Sequence, residues 1–147
     1  MSLTLKPLSE VMGVEIIGLD LHDPIAEYDA ATLRQALLDH HVVLVRQDGL
    51  SDFEQMRYCQ VYGDIQSERT VVEVESQEIV GMMHVSNVRE DGVLPNGAMW
   101  LHSDQCYFDT PGKCTSLYGI TTPKRGGHTR FSDCIAAYEG LAKATQR

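Results

Sequence analysis

The chain has 147 residues, 12 of them basic and 21 acidic, for a net charge of −9. The length suits one domain with a sizeable core, and 43% hydrophobic with 22% charged residues is ordinary globular composition. The acidic balance and the scatter of Arg46, Arg57, Arg69, Arg89, Lys124, Arg125 and Arg130 argue against nucleic-acid backbone binding, and no apolar run reaches membrane-spanning length.

The first ten residues lack a basic region followed by an apolar run, so the expected location is the cytoplasm. Cys59, Cys106, Cys114 and Cys134 form no C-x-x-C pair, and the expectation is reduced, mostly packed thiols with neither a disulfide framework nor a zinc site.

Gly13–Leu19 alternates between glycines and predicts a strand. Asp29 is placed to cap a helix through Asp39 with Leu33, Ala36 and Leu37 as its apolar stripe. Val42–Val45 is a continuous apolar run that predicts a buried strand, and Asp48-Gly49 a turn. Ser51-Asp52-Phe53-Glu54 is a capping box opening a second helix, with Phe53, Met56 and Cys59 or Gln60 along one side and Gly63-Asp64 ending it.

Residues 71–75 and 79–85 read as strands, and 91–97 as a loop leading into a strand-like segment around His102. Thr115–Ile120 predicts a further strand, Pro123–Gly127 a turn, and His128–Phe131 a short strand. Ser132 or Asp133 is placed to cap a helix through Leu141. The order starts α+β and becomes increasingly β, in the manner of a sandwich or barrel. From Gly140 to Arg147 no helix stop and no closing strand is visible, which gives the expectation of an interruption.

His102 and Asp104 are the residues that most invite chemistry. On a strand, positions i and i+2 share a face, so one imidazole nitrogen and one carboxylate oxygen can aim at a common point. That donor pair suits a divalent metal such as Fe(II). Spacing alone decides little: 6 His and 11 Asp in 147 residues give roughly 0.45 such pairs by chance.

Several blocks in order carry more weight. His41–Arg46, Leu50–Gln55 followed by Tyr62-Gly63, His84–Asn87, Trp100–Tyr107, and Pro123–Thr129 with Phe131–Asp133 and Ala137–Glu139 resemble, in sequence, the blocks of the taurine dioxygenase (TauD/TfdA-type) family. These are Fe(II)- and 2-oxoglutarate-dependent oxygenases. The resemblance implies an α+β, mostly β fold: a partial double-stranded β-helix, or jelly roll, with flanking N-terminal helices. Residues 1–147 would be a single domain forming the N-terminal part of a longer dioxygenase fold.

The resemblance also implies roles. His102 and Asp104 would be two members of a facial metal triad, and Thr129 would bind a carboxylate oxygen of 2-oxoglutarate. Asn96 and Gln105 would line the substrate pocket. His128 stands where the family has an aspartate, and is read as a turn or surface residue. Trp100 is separated from His102 by Leu101 and is read as core, with substrate contact as the alternative. His84 is read as a buried, satisfied histidine. The family's distal histidine and its oxoacid-binding arginine are not matched in these residues.

The implied activity is hydroxylation of a small organic molecule by dioxygen, with release of succinate and CO2. The 147 residues alone are expected to be inactive and to self-associate, a homo-oligomer being one form of that. The alternatives are a non-catalytic remnant and an acidic α+β binding protein.

Overall fold

The computed structural model describes residues 3–66, 81–90, 92 and 99–146. The elements run β1 (Thr4–Pro7), β2 (Val14–Ile17), α1 (Glu27–His40), β3 (Val43–Val45), α2 (Asp52–Gln60) and α3 (Cys134–Glu139). The chain divides into two compact units. One comprises Met1–Asp20, Ile25–Asp48 and Gly119–Arg147; the other comprises Leu21–Pro24 and Gly49–Tyr118.

The first unit is built on a three-stranded sheet in the order β1-β2-β3. β1 and β2 pair antiparallel with Leu5 opposite Ile16, and β2 and β3 pair parallel with Glu15 opposite Leu44. A parallel pair needs a crossover, and α1 supplies it. The α1 stripe that faces inward is Ala30, Leu33 and Ala36, buried with Val14 and Ile16 of β2. Leu37, expected on that stripe, is half-buried. The Arg46 guanidinium donates to Glu15 Oε1 at 2.7 Å, tying the end of β3 to β2 at the surface.

Several elements differ from the sequence expectation. β1 was not expected; all four of its residues are exposed, so no burial pattern marks it. α1 begins before Asp29: its N-cap is Ala26, which makes no side-chain cap bond, and Asp29 sits in the first turn, where its charge still suits the helix dipole. The chain leaves α1 through His41 at φ 63°, with the His41 N–H bonded to Leu37 O at 2.9 Å. β3 is half-buried along its length, not buried.

A cavity of about 350 Å³ in this unit is lined by Leu8, Met12, Val42, Leu44 and Phe131. Its lining side chains are all apolar, so they offer no group for acid–base or metal chemistry.

The second unit is organised on α2. The expected capping box is present in both directions: Ser51 Oγ accepts from the Glu54 N–H at 3.3 Å, and the Ser51 N–H donates to Glu54 Oε2 at 2.8 Å. The inward side of α2 differs from expectation. Phe53 is 61% exposed and Gln60 is exposed, whereas Tyr58 and Cys59 are half-buried and Tyr62, just beyond the helix, is buried. The Tyr58 and Tyr62 rings meet edge to face with their hydroxyls 2.8 Å apart. The Arg57 guanidinium donates to the carbonyls of Leu21, His22 and Asp23, pinning that loop to the helix.

The later strands are not seen among the described residues. Residues 71–75 and the start of 79–85 lie outside them; from 81 to 85 only Val85 makes a single bridge. Thr115–Ile120 and His128–Phe131 are irregular. Their composition favours strands, but a strand exists only when another pairs with it, and these segments have no ladder partner among the described residues. The balance there is therefore helix over strand, against the mostly β expectation. α3 is capped by Asp133, whose carboxylate accepts from the Ile135 and Ala136 N–H groups at 2.9 Å. It stops at Gly140, one residue short of the expected Leu141, with Gly140 still at φ −72°.

Candidate metal centre

The segment carrying His102 and Asp104 is not the expected strand: His102 and Ser103 are irregular, Asp104 to Tyr107 turn, and Gln105 holds φ at 52°. Positions 102 and 104 therefore do not share a strand face. The two side chains still converge. His102 Nε2 lies 2.9 Å from Asp104 Oδ1, and His102 Nδ1 lies 2.8 Å from the Trp100 carbonyl oxygen.

The Trp100 carbonyl can only accept, so Nδ1 carries a proton. At Nε2, a lone pair facing a carboxylate oxygen at 2.9 Å would be repulsive, so a positive charge belongs between them: a proton on Nε2, or a cation. In line with this, the Trp100 carbonyl first, and Asp104 after it, push the His102 imidazole above its usual pKa. The His102 and Asp104 side chains are 46% and 50% exposed, so the pair is open to a solute.

The donor set fits two positions around a divalent ion. With ligand bonds of about 2.1 Å, adjacent corners of an octahedron are about 3.0 Å apart, and the observed N···O separation is 2.9 Å. A histidine whose far nitrogen is fixed by a backbone carbonyl is also the usual form of a metal-ligating imidazole. Among the described residues no group of three His, Cys, Asp or Glu side chains is placed to hold a metal, so the fit extends to two ligands.

The other residues singled out from sequence fall as follows. Gln105 follows Asp104 directly and is half-buried; its side-chain oxygen lies over Gly112, where an added Cβ would meet it at 3.0 Å. Thr129 is exposed, in the first unit, two residues after a tight glycine turn. In that turn Gly127 has φ 65°, and a Cβ there would lie 2.7 Å from Pro123 Cγ. Asn96 lies outside the described residues. His128 is exposed, as expected. Trp100 is 91% exposed rather than core. His84 is half-buried rather than buried. Cys106, Cys114 and Cys134 are exposed and only Cys59 is half-buried, so the expectation of packed thiols fails for three of the four.

Two features of the site were not anticipated. The Trp100 backbone carbonyl orients His102, and a carbonyl leaves no trace in residue identity. The positive φ falls on glutamine, where glycine or asparagine would have signalled it.

A histidine and a carboxylate sharing one short, solvent-accessible contact belong to the class of donors used by divalent metal sites. The chain as a whole matches the family model "Taurine catabolism dioxygenase TauD, TfdA family" over residues 4–147, and it belongs to that family. It is 28% identical over 140 residues to an alkylsulfatase of Acinetobacter baylyi, covering 95% of this chain and 42% of that protein. It is 23% identical over 159 residues to the alpha-ketoglutarate-dependent 2,4-dichlorophenoxyacetate dioxygenase of Cupriavidus pinatubonensis, covering 99% of this chain and 55% of the relative. The chain thus spans about half the length of the curated relatives it matches. A crystal structure of a taurine dioxygenase from Burkholderia xenovorans aligns with 48% of this chain and 26% of its own, at 28% identity and a TM-score of 0.43. No helix among the described residues is long and apolar enough to cross a membrane.

Proposed function

We propose that this chain supplies part of the active site of an Fe(II)- and 2-oxoglutarate-dependent oxygenase acting on a small organic molecule, within a jelly-roll fold of which residues 1–147 are the N-terminal part. The observation that carries the reading is the His102–Asp104 contact at 2.9 Å in a chain of this family. In this proposal His102 Nε2 and Asp104 Oδ1 hold the iron. Thr129 offers its hydroxyl to a carboxylate oxygen of 2-oxoglutarate, and Asn96 and Gln105 line the substrate pocket. When bound, the iron supplies dioxygen activation, coupled to oxidative decarboxylation of 2-oxoglutarate to succinate and CO2 and to hydroxylation of the substrate.

The protein's own residues do the positioning. The Trp100 carbonyl holds the His102 Nδ1 proton, which leaves Nε2 as the ligating atom once its proton is displaced. Asp104 adds a negative charge beside that nitrogen and so favours a cation over a neutral ligand.

A second reading has its own support. A half-exposed ion pair with no third donor among the described residues is also what a non-catalytic protein would carry. Succinate release separates part of this. With two matched ligands, the 147-residue chain incubated with Fe(II), ascorbate and 2-oxoglutarate is expected to release no succinate above a metal-free control. Release above that control would overturn the claim that these residues are insufficient.

A further inference from the structure

The second unit holds a thiol pair that the proposed function does not use. Gln55, Tyr58, Cys59 and Tyr62 recur at the spacing of one helix face. Residues 113–118 run along that face in the opposite direction, and hydrogen bonds set their register. The Lys113 ammonium donates to Tyr62 O at 3.3 Å, the Gln55 amide to Ser116 Oγ at 3.3 Å, and the Leu50 N–H to the Tyr118 hydroxyl oxygen at 3.0 Å. As the partner numbers rise from 113 to 118, those on the helix side fall from 62 to 50. Cys114 therefore lies opposite the turn that carries Cys59. The Ser116 hydroxyl itself reaches the Cys59 thiol. Cys114 acts electrostatically on Tyr58 and Tyr62, and Cys59 acts on Cys114.

We propose that Cys59 and Cys114 form a disulfide when the protein meets a hydroperoxide, fastening residues 113–118 to α2. Cys114 is exposed and Cys59 half-buried, so Cys114 is the first to react. Its thiolate attacks one peroxide oxygen, the O–O bond breaks, hydroxide leaves, and the sulfur becomes a sulfenic acid. The Cys59 sulfur then displaces that hydroxyl as the S–S bond forms, and water leaves. In sum, two thiols and one hydrogen peroxide give one disulfide and two waters. Partial burial pushes both thiols up from their ordinary pKa, which slows their reaction with peroxide. The bond would close the loop between residues 59 and 114, which carries His102 and Asp104.

The test uses the whole chain with Cys106→Ser and Cys134→Ser, both at exposed positions, treated with hydrogen peroxide. The proposal expects both remaining thiols to disappear together, the monomer mass to fall by about 2 Da, and a single cross-linked peptide pair joining Cys59 to Cys114. A reductant should restore both thiols. Adding Cys114→Ser should leave Cys59 a free thiol. A disulfide closes only where Cα atoms come within about 7 Å, so the link reports on the register. Mapping the unsubstituted chain, folded and in urea, is the check against misfolding of the variants. The link should dominate in the folded chain and fall to the frequency of other cysteine pairs in urea. A free Cys59 beside an over-oxidised Cys114, cross-links only between molecules, or equal yields with and without urea would each overturn the proposal.

Discussion

Leu33→Ala tests how the first unit is held together. Leu33 is fully buried on the inward stripe of α1, between Ala30 and Ala36 and over the sheet that carries Val14 and Ile16. The substitution removes three side-chain carbons, worth about 0.8 kcal/mol each in transfer free energy, or about 2.4 kcal/mol. The small neighbours Ala30 and Ala36 cannot swing in to fill the space, so a cavity term adds to this and brings the loss to about 3 kcal/mol. For a chain of this length that corresponds to a fall of roughly 10 °C in Tm. Thermal and urea melts followed by far-ultraviolet circular dichroism measure it. Leu38→Ala is the control, since Leu38 lies on the same helix but is 62% exposed; its loss should stay within about 0.5 kcal/mol. A Leu33→Ala loss below about 1 kcal/mol, or one matched by Leu38→Ala, would refute the packing argument.

Other consequences follow from the same geometry. Hydrogen bonds from Ser51, then from His22, lower the Glu54 carboxyl pKa from 4.5 to about 2. A depressed carboxyl stabilises the folded state above its unfolded pKa, and that contribution fades as pH falls from about 4.5 towards 2. Glu54→Gln should therefore show less Tm loss than the parent across that window, and equal slopes would contradict the capping box as its source. Asp133→Ala removes both cap bonds of α3 and should cost about 1 kcal/mol in urea melts; no loss would mean that the cap does not hold this helix. Arg46→Ala, with Arg46 mostly exposed, should cost under about 1 kcal/mol, less still in high salt; a larger, salt-independent loss would show a buried role. Met99, Trp100, Leu101 and Tyr107 expose large apolar surfaces in one stretch, so the chain should self-associate with rising concentration; a sedimentation profile of a single monomer at all concentrations would contradict this.

What was legible in the sequence is what local chemistry decides. The Ser51/Glu54 capping box, the Asp133 cap, the Leu33 and Ala36 stripe and the glycine turn at 126–127 each involve residues within a few positions of one another, and each is found in the structure. Strands depend on distant partners. Thr115–Ile120 and His128–Phe131 have strand-like composition without a ladder among the described residues, while the fully exposed Thr4–Pro7 becomes a strand because β2 lies beside it. The candidate site divides along the same line. His102 and Asp104 were singled out on strand spacing, but the residues joining them are irregular and the contact does not arise from strand geometry. The Trp100 carbonyl and the Gln105 conformation belong to the backbone, which residue types do not report.

The central claim is that His102 and Asp104 are iron ligands, and anaerobic Fe(II) titration tests it most directly. The unsubstituted chain, His102→Ala and Asp104→Ala are to be titrated side by side, each first matched to the parent in circular dichroism. Each substitution should weaken binding by at least about tenfold, because one of only two matched donors is gone. Equal affinity in all three proteins, or no measurable binding by the unsubstituted chain, would contradict the assignment and leave the His102–Asp104 contact as an ion pair of the surface.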